Sequence, residues 1–260
     1  MPLVSVILTY FNKRFFISKT LQTLLNQTYK NFEVIIVYDQ EDLNDFYYIS
    51  NLINSDKRFF LYKNKKNIGA GLSRNLGLNY AKGEYICFLD CDDLWEFNKI
   101  ETQYNFMVKN NLLFSHTSYK IINSSDKIIG VMKVKDKILY DDLIKSCDIG
   151  LSTVMFHNSI KNKIFFPTIK TKEDYVLWLR LSKEIKIIGL DKTIVAWRKA
   201  KGSLSSSILT SLINGFVVYN TYERKSFYYS ILYLFHLCFY SFIKKIKQKN
   251  EIINFKNKNT

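Results

Sequence analysis

The stretch Glu84-Tyr85-Ile86-Cys87-Phe88-Leu89-Asp90-Cys91-Asp92-Asp93 joins an apolar run of strand length directly to three acids within four residues. Three carboxylates so close repel one another unless water or a cation offsets their charge. Hard divalent cations such as Mg²⁺ or Mn²⁺ take oxygen ligands and share them with a substrate's phosphates. In isolation the motif reads more readily as a solvated turn capping a helix that starts near Asp93. Its place at the end of a buried strand favours the cation.

The flanking chain supports that placement. Residues 4–9 are a short β-branched run, 32–37 a second apolar strand, 59–62 a third and 84–89 a fourth. Between them, residues 12–26, 42–55 and 70–81 carry apolar side chains at helical spacing, and Gly83 follows the last as its stop. Strand and helix alternating in this way predict an α/β fold, with βαβ units, a Rossmann-like, mostly parallel sheet and helices on both faces. Ligands of such sheets bind beyond the carboxyl ends of the strands. Two strands end in acid there, at Asp39 and at Asp90, so one edge should carry both. The Gly69-Ala70-Gly71 segment lacks the third glycine of a dinucleotide fingerprint, since Arg74 stands in its place.

Three further features carry chemistry. Asp39 can accept from a nucleobase N–H such as uracil N3, although aspartate is also a common turn residue. Residues 171–181 read as a helix with Glu173 and Asp174 in its first turn. Acids there complement the helix dipole, or one of them is a general base for a hydroxyl proton. The basic stretch 197–205, with Arg198, Lys199, Lys201 and Gly202, can organise a diphosphate or be an ordinary exposed loop.

Composition sets the bounds. Of 260 residues 47% are apolar, enough for a sizeable core, and 9 Gly and 2 Pro exclude low-complexity linkers. The formal net charge of +15 admits nucleic acid, compositional bias, or an anionic membrane surface. The lysines are spread along the chain rather than gathered with aromatics on one groove, which argues against nucleic acid. The four cysteines form no C-x-x-C pair and have no histidine cluster, so neither zinc nor a disulfide framework is expected, and reduced cytosolic thiols are. No signal peptide precedes the first strand. After residue 206 the composition changes. Residues 227–243 are almost continuously apolar and aromatic, and Lys244, Lys245, Lys247 and Lys249 follow. The run falls short of the ~20 residues a spanning helix needs. It suits an interfacial helix on an anionic leaflet, with a helix packed on the domain as the alternative.

In order and spacing the motifs resemble family 2 glycosyltransferases with a GT-A fold. Four stretches carry the likeness: Ser5-Val6-Ile7-Leu8-Thr9-Tyr10-Phe11-Asn12; Gln27-Thr28-Tyr29 through Val37-Tyr38-Asp39; Arg74-Asn75 through Asp90-Cys91-Asp92-Asp93; and Glu173-Asp174-Tyr175 with Trp178-Leu179-Arg180. The resemblance implies an enzyme of the metal-dependent hexosyltransferase type, with Mn²⁺ or Mg²⁺ as cofactor. Thr9, Tyr10 and Asp39 would line the nucleobase pocket, with Asn12, Asn67, Gly69 and Glu173 also at the substrate. Arg74 would approach the base or the diphosphate. Asp90 would contact the ribose or sugar side and share the metal with Asp92, its main ligand. Asp93 would be no more than a helix cap. Asp174 would be the base of an inverting transfer, and Arg198 and Lys201 would close over the diphosphate.

The expected partners are a nucleotide-sugar donor built on UDP, a glycan or lipid-linked saccharide acceptor, and an anionic membrane surface, but no nucleic acid. The setting would be cell-surface polysaccharide or lipopolysaccharide biosynthesis, peripheral on the cytoplasmic, inner face of the membrane. Residues 1–206 would form the catalytic domain, with 1–93 binding the nucleotide and 94–206 the acceptor and base. Residues 207–260 would be C-terminal helices with a basic tail. This chain departs from the family pattern at Tyr38, where a second acid is usual, at Gln40-Glu41 in place of Gly-Ser, and near Ala200, where a histidine ligand is often found. A nucleotidyltransferase, the rival enzyme, needs a glycine-rich N-terminal loop that residues 8–13 lack.

Overall fold

The computed structural model describes residues 1–199 and 208–258. Its elements run β1 (Val4–Tyr10), α1 (Arg14–Leu25), β2 (Phe32–Tyr38), α2 (Asn44–Ile53), β3 (Phe59–Lys63), α3 (Ala70–Tyr80) and β4 (Tyr85–Asp90). Then come β5 (Leu94–Trp95), α4 (Lys99–Lys109), β6 (Phe114–Ile122), β7 (Ile128–Met132), β8 (Lys137–Ile138) and a single turn, α5 (Tyr140–Leu143). The chain continues through β9 (Met155–His157), α6 (Glu173–Ser182), β10 (Ile187–Arg198), α7 (Ile208–Val217) and α8 (Phe227–Lys258).

The strands form one sheet in the order β3-β2-β1-β4-β9-β6-β10-β5, with β7 on β6 and β8 on β10. Pairing is parallel from β3 through β4, as βαβ units require. Beyond β4 the sheet is mixed. Strand β9 runs antiparallel to both β4 and β6, while β10 lies parallel to β6.

Side chains alternate across the sheet and define two cores. On one face Ile7, Ile35, Val37, Ile86 and Phe88 pack under α3 and α6, with Leu237 of α8 joining them. On the other, Val6, Leu8, Val34, Ile36, Cys87 and Leu89 pack under α1, α2 and α4. Helix α3 ends at Tyr80, and Gly83 is not its left-handed stop, since Gly69 is the one described glycine with positive φ. Gly83 serves a close approach instead: a Cβ there would sit 2.5 Å from the Ser5 backbone nitrogen. All four cysteines are free.

The C-terminal run is one helix, α8, of 32 residues. Ser230 and Leu237 are buried against the domain, and Lys244 on the same side binds the Cys147 carbonyl and the Asp148 carboxylate. No helix among the described residues is long and apolar enough to cross a membrane.

Candidate active site

Strand register sets the site. Thr9 pairs with Val37 on one side and with Asp90 on the other, so the ends of β1, β2 and β4 form one edge. Beyond β4 the chain turns tightly, with the Asp93 N–H donating to the Asp90 carbonyl at 3.0 Å. The Thr20 hydroxyl of α1 lies 3.0 Å from the Cys91 carbonyl and 2.9 Å from that of Asp93, and pins the turn from below.

The three acids take different roles. Asp93 is buried, and its carboxylate accepts from the Ser152 hydroxyl at 2.6 Å and the Arg198 N–H at 2.7 Å. It is not a helix cap, because β5 follows it and the next helix begins only at Lys99. Burial, with repulsion from Asp90 and Asp92, raises its carboxyl well above the usual range. Asp92 reaches the surface of the edge and pairs with Lys13 at 2.7 Å. Burial raises its carboxyl pKa despite Lys13, with Asp90 repulsion adding to the rise. Asp90 pairs with Arg74 at 2.9 Å.

Arg74 also binds Glu173 at 2.6 Å, which ties α3 and β4 to the start of α6. Its neighbour Asp174 is half-buried and accepts from the Tyr175 N–H at 2.7 Å. Burial and the adjacent Glu173 push the Asp174 carboxyl up to about 6, against the pull of Arg74. A carboxylate tuned toward neutrality is suited to take a proton at physiological pH. Lys172, just before α6, has φ of 70°, so the chain enters the helix through a left-handed residue.

Asp39 organises the nucleotide end of the edge. Its Oδ1 accepts from the Asn64 amide at 2.7 Å and the Ile68 N–H at 2.8 Å, and its Oδ2 from the Gly69 N–H at 2.9 Å. The Asn67 amide donates to the Asp39 carbonyl at 2.9 Å. Gly69 holds φ of 87°, which favours glycine, and this is why the segment turns into α3 there. Asn12 also lies in the left-handed region and its N–H donates to Gln40 Oε1 at 2.8 Å. Thr9, Asn12, Asp39, Asn67 and Gly69 therefore gather at one end of the edge.

Two expected binding side chains point elsewhere. Tyr10 is fully buried, stacked on Tyr38 with ring centroids 5.3 Å apart, and its hydroxyl donates to Asp45 at 2.6 Å. Alternation along β1 sends it into the core, so it meets the edge through its backbone. The Arg198 side chain is also buried. It donates to the carbonyls of Asp92 at 2.7 Å and Asn123 at 2.8 Å, pairs with Asp126 at 2.6 Å and lies over the Phe16 ring. It fastens the acid turn to the β6–β7 hairpin instead of clamping a diphosphate. Lys201 lies outside the described residues, as does the expected boundary at residue 206.

Among the described residues no cluster of three or more acids, histidines or cysteines could enclose a metal ion. The donor set still fits a hard cation. Asp92 and Asp90 bring two carboxylates to the strand edge, each beside a cationic side chain, Lys13 at 2.7 Å and Arg74 at 2.9 Å. Mg²⁺ and Mn²⁺ sites of this kind need one or two carboxylates, with phosphate oxygens and water completing the shell. Sequence reasoning missed Lys13, Thr20, Asn64 and Ser152. Lys13 directly follows the quoted Tyr10-Phe11-Asn12 stretch, which was its one signal; the others are distant partners brought in by the fold.

Comparison with known proteins gives the same outline. The family described as Glycosyl transferase family 2 matches residues 5–166. The Escherichia coli UDP-Glc:alpha-D-GlcNAc-diphosphoundecaprenol beta-1,3-glucosyltransferase WfaP is 38% identical over 247 residues, covering 92% of this chain and 97% of its own. Staphylococcus aureus TarS 1–349, solved in complex with UDP-GlcNAc, superposes with a TM-score of 0.68 at 21% identity, over 84% of this chain and 66% of that one. A Pyrobaculum calidifontis mannosyltransferase, solved with GDP-Man and Mn²⁺, superposes with a TM-score of 0.66 at 14% identity, over 86% and 65%. The architecture is thus that of GT-A enzymes, and this chain belongs to glycosyl transferase family 2.

Proposed function

We propose that the protein is an inverting glycosyltransferase that moves a sugar from a UDP-sugar to a hydroxyl of a glycan or lipid-linked glycan in cell-surface polysaccharide biosynthesis. The observation that carries this reading is the chain Asp90–Arg74–Glu173 with Asp174 beside it, which joins the strand edge to a carboxylate of raised pKa. The acceptor in the WfaP name and the UDP-GlcNAc in TarS support the choice of substrates.

In the proposed reaction the acceptor hydroxyl oxygen attacks the anomeric carbon of the donor. The C–O bond to the diphosphate breaks on the opposite side, and its electron pair leaves on the nucleotide. Asp174 takes the hydroxyl proton, a role worth roughly 10²–10⁴-fold. Glu173, held by Arg74, fixes the first turn of α6 and so the aim of Asp174. Asp39 and the 64–69 segment would form the nucleobase end, where Asp39 holds the segment through Asn64, Ile68 and Gly69. Asp92, and Asp90 at its side, would hold Mn²⁺ or Mg²⁺, which when bound offsets charge on the leaving diphosphate. The Mn²⁺ in the Pyrobaculum calidifontis structure supports that cofactor. Lys13, the ion-pair partner of Asp92, would pass to a phosphate oxygen when the cation binds. The proposed place of work is the inner face of the cell membrane, with the protein bound peripherally.

A screen of nucleotide sugars for hydrolysis and transfer, with and without Mn²⁺, tests this. Turnover of a UDP-sugar that needs a divalent cation is expected. Inactivity with every sugar donor, alongside tight salt-dependent RNA binding, would overturn it.

A further inference from the structure

Helix α8 has two faces. One packs on the domain through Ser230, Leu237 and Lys244, with Tyr233 and Leu234 half-buried beside them. The opposite face carries Tyr228, Ile231, Phe235, Phe239, Phe242 and Ile246, all exposed. At about 100° per residue these six fall within an arc of about 80°, along about 27 Å of helix. Residues 227–243 contain no Lys, Arg, Asp or Glu. Helix α7 packs beside α8 and adds Leu209, Leu212 and Ile213, also exposed. Six exposed apolar side chains along one helix face are uncommon on a monomer and mark a contact site.

Charge selects the occupant. Arg224 and Lys225 precede the stripe, and Lys244, Lys245 and Lys247 cluster at its C-terminal end. Lys245 and Lys247 have no ion-pair partner among the described residues. A second copy would bring the same lysines and another net charge of +15 against the first. An anionic headgroup layer offers the opposite charge and an apolar layer beneath it. The absence of a helix able to span sets the helix on that layer, not through it.

We infer that the exposed face of α8, continued by α7, docks on an anionic lipid bilayer. This rests on the reading that the acceptor is lipid-linked, and it names the surface that brings the enzyme to it. The link to the site is short. Lys244 on the packed face holds the Cys147 carbonyl and Asp148. Tyr175, next to Asp174, donates its hydroxyl to the Leu143 carbonyl just before that segment at 2.7 Å. The helix that meets the bilayer therefore packs on the segment beside the proposed base.

Flotation of the full chain with vesicles tests the docking. Vesicles of phosphatidylcholine alone are compared with vesicles that also contain phosphatidylglycerol. The wild-type chain is expected to float with the anionic vesicles and much less with the neutral ones. The triple variant Phe235→Glu, Phe239→Glu, Phe242→Glu is expected to lose vesicle binding by more than about tenfold, because it sets charge on an apolar contact. Its thermal melt and its transfer to a lipid-free acceptor are expected to match wild type. Equal flotation of the variant and wild type would overturn the inference. So would absence of wild-type flotation, or a wild-type dimer that the variant dissolves with no vesicle binding. Asp174→Asn is expected to float as wild type does, whereas a wild-type chain that floats but transfers no sugar would count against the proposed reaction and leave the docking face standing.

Discussion

The Arg74 guanidinium binds the Glu173 carboxylate at 2.6 Å across 99 residues of chain. Arg74 is almost wholly buried, and its other nitrogen holds Asp90, so one side chain balances the strand edge and the first turn of α6. Removing it strands two carboxylates. Arg74→Ala is expected to cost about 3 kcal/mol in denaturant unfolding. It also removes the charge that lowers the Asp174 pKa, so any residual transfer should shift its pH profile upward. An unshifted profile would uncouple Arg74 from the base.

Asp174 must be ionised to accept a proton. Transfer is expected to rise with pH through about 6 and level off above it. Stability runs the other way. The folded pKa is raised above the ordinary 3.8, so the unfolded chain releases the proton first and stability falls between about pH 4 and 6. Asp174→Asn removes that penalty and is expected to stabilise the protein at pH 7 by on the order of 1 kcal/mol, after screening of the half-buried group. Melting at pH 4 and pH 7 checks the sign.

Asp92, with Lys13 as its counter-charge at 2.7 Å, is the acid proposed as the main cation ligand. Asp92→Asn is expected to lower transfer by about 10²-fold or more. Chelation by EDTA should lower wild-type transfer, and added Mn²⁺ or Mg²⁺ should restore it. Full activity of the chelated enzyme would leave Lys13 as the only cation needed there.

Asp93 is a structural acid. Asp93→Ala leaves the Ser152 hydroxyl and the Arg198 N–H without their acceptor. It is expected to cost about 2 kcal/mol, read as a lower melting temperature. A variant that melts like wild type yet loses divalent-ion dependence would instead make Asp93 a ligand.

The strand edge was legible because two apolar strands run directly into acid, at Asp39 and at Asp90. The base helix was legible because Glu173 and Asp174 open an apolar helix. The division of labour within Asp90, Asp92 and Asp93 was not, since Ser152 and Arg198 reach Asp93 from 59 and 105 residues away. Arg198 was misjudged for a related reason: a basic residue before a glycine-containing loop suggests a phosphate, and only the fold turns it back onto Asp126 and Phe16. Tyr10 belongs to the core because alternation along β1 leaves one face of the strand under α1 and α2. The parallel half followed from local spacing, whereas β9 enters the sheet beside β4 through a pairing that spans some seventy residues and leaves no local pattern.

In the proposed reaction Asp174 removes the acceptor proton while the rest of the edge binds the donor. The most direct measurement pairs UDP-sugar affinity, by calorimetry, with transfer rate in Asp174→Asn. The expected result is unchanged donor affinity with transfer reduced at least ~10²-fold. Normal turnover by Asp174→Asn would contradict the account.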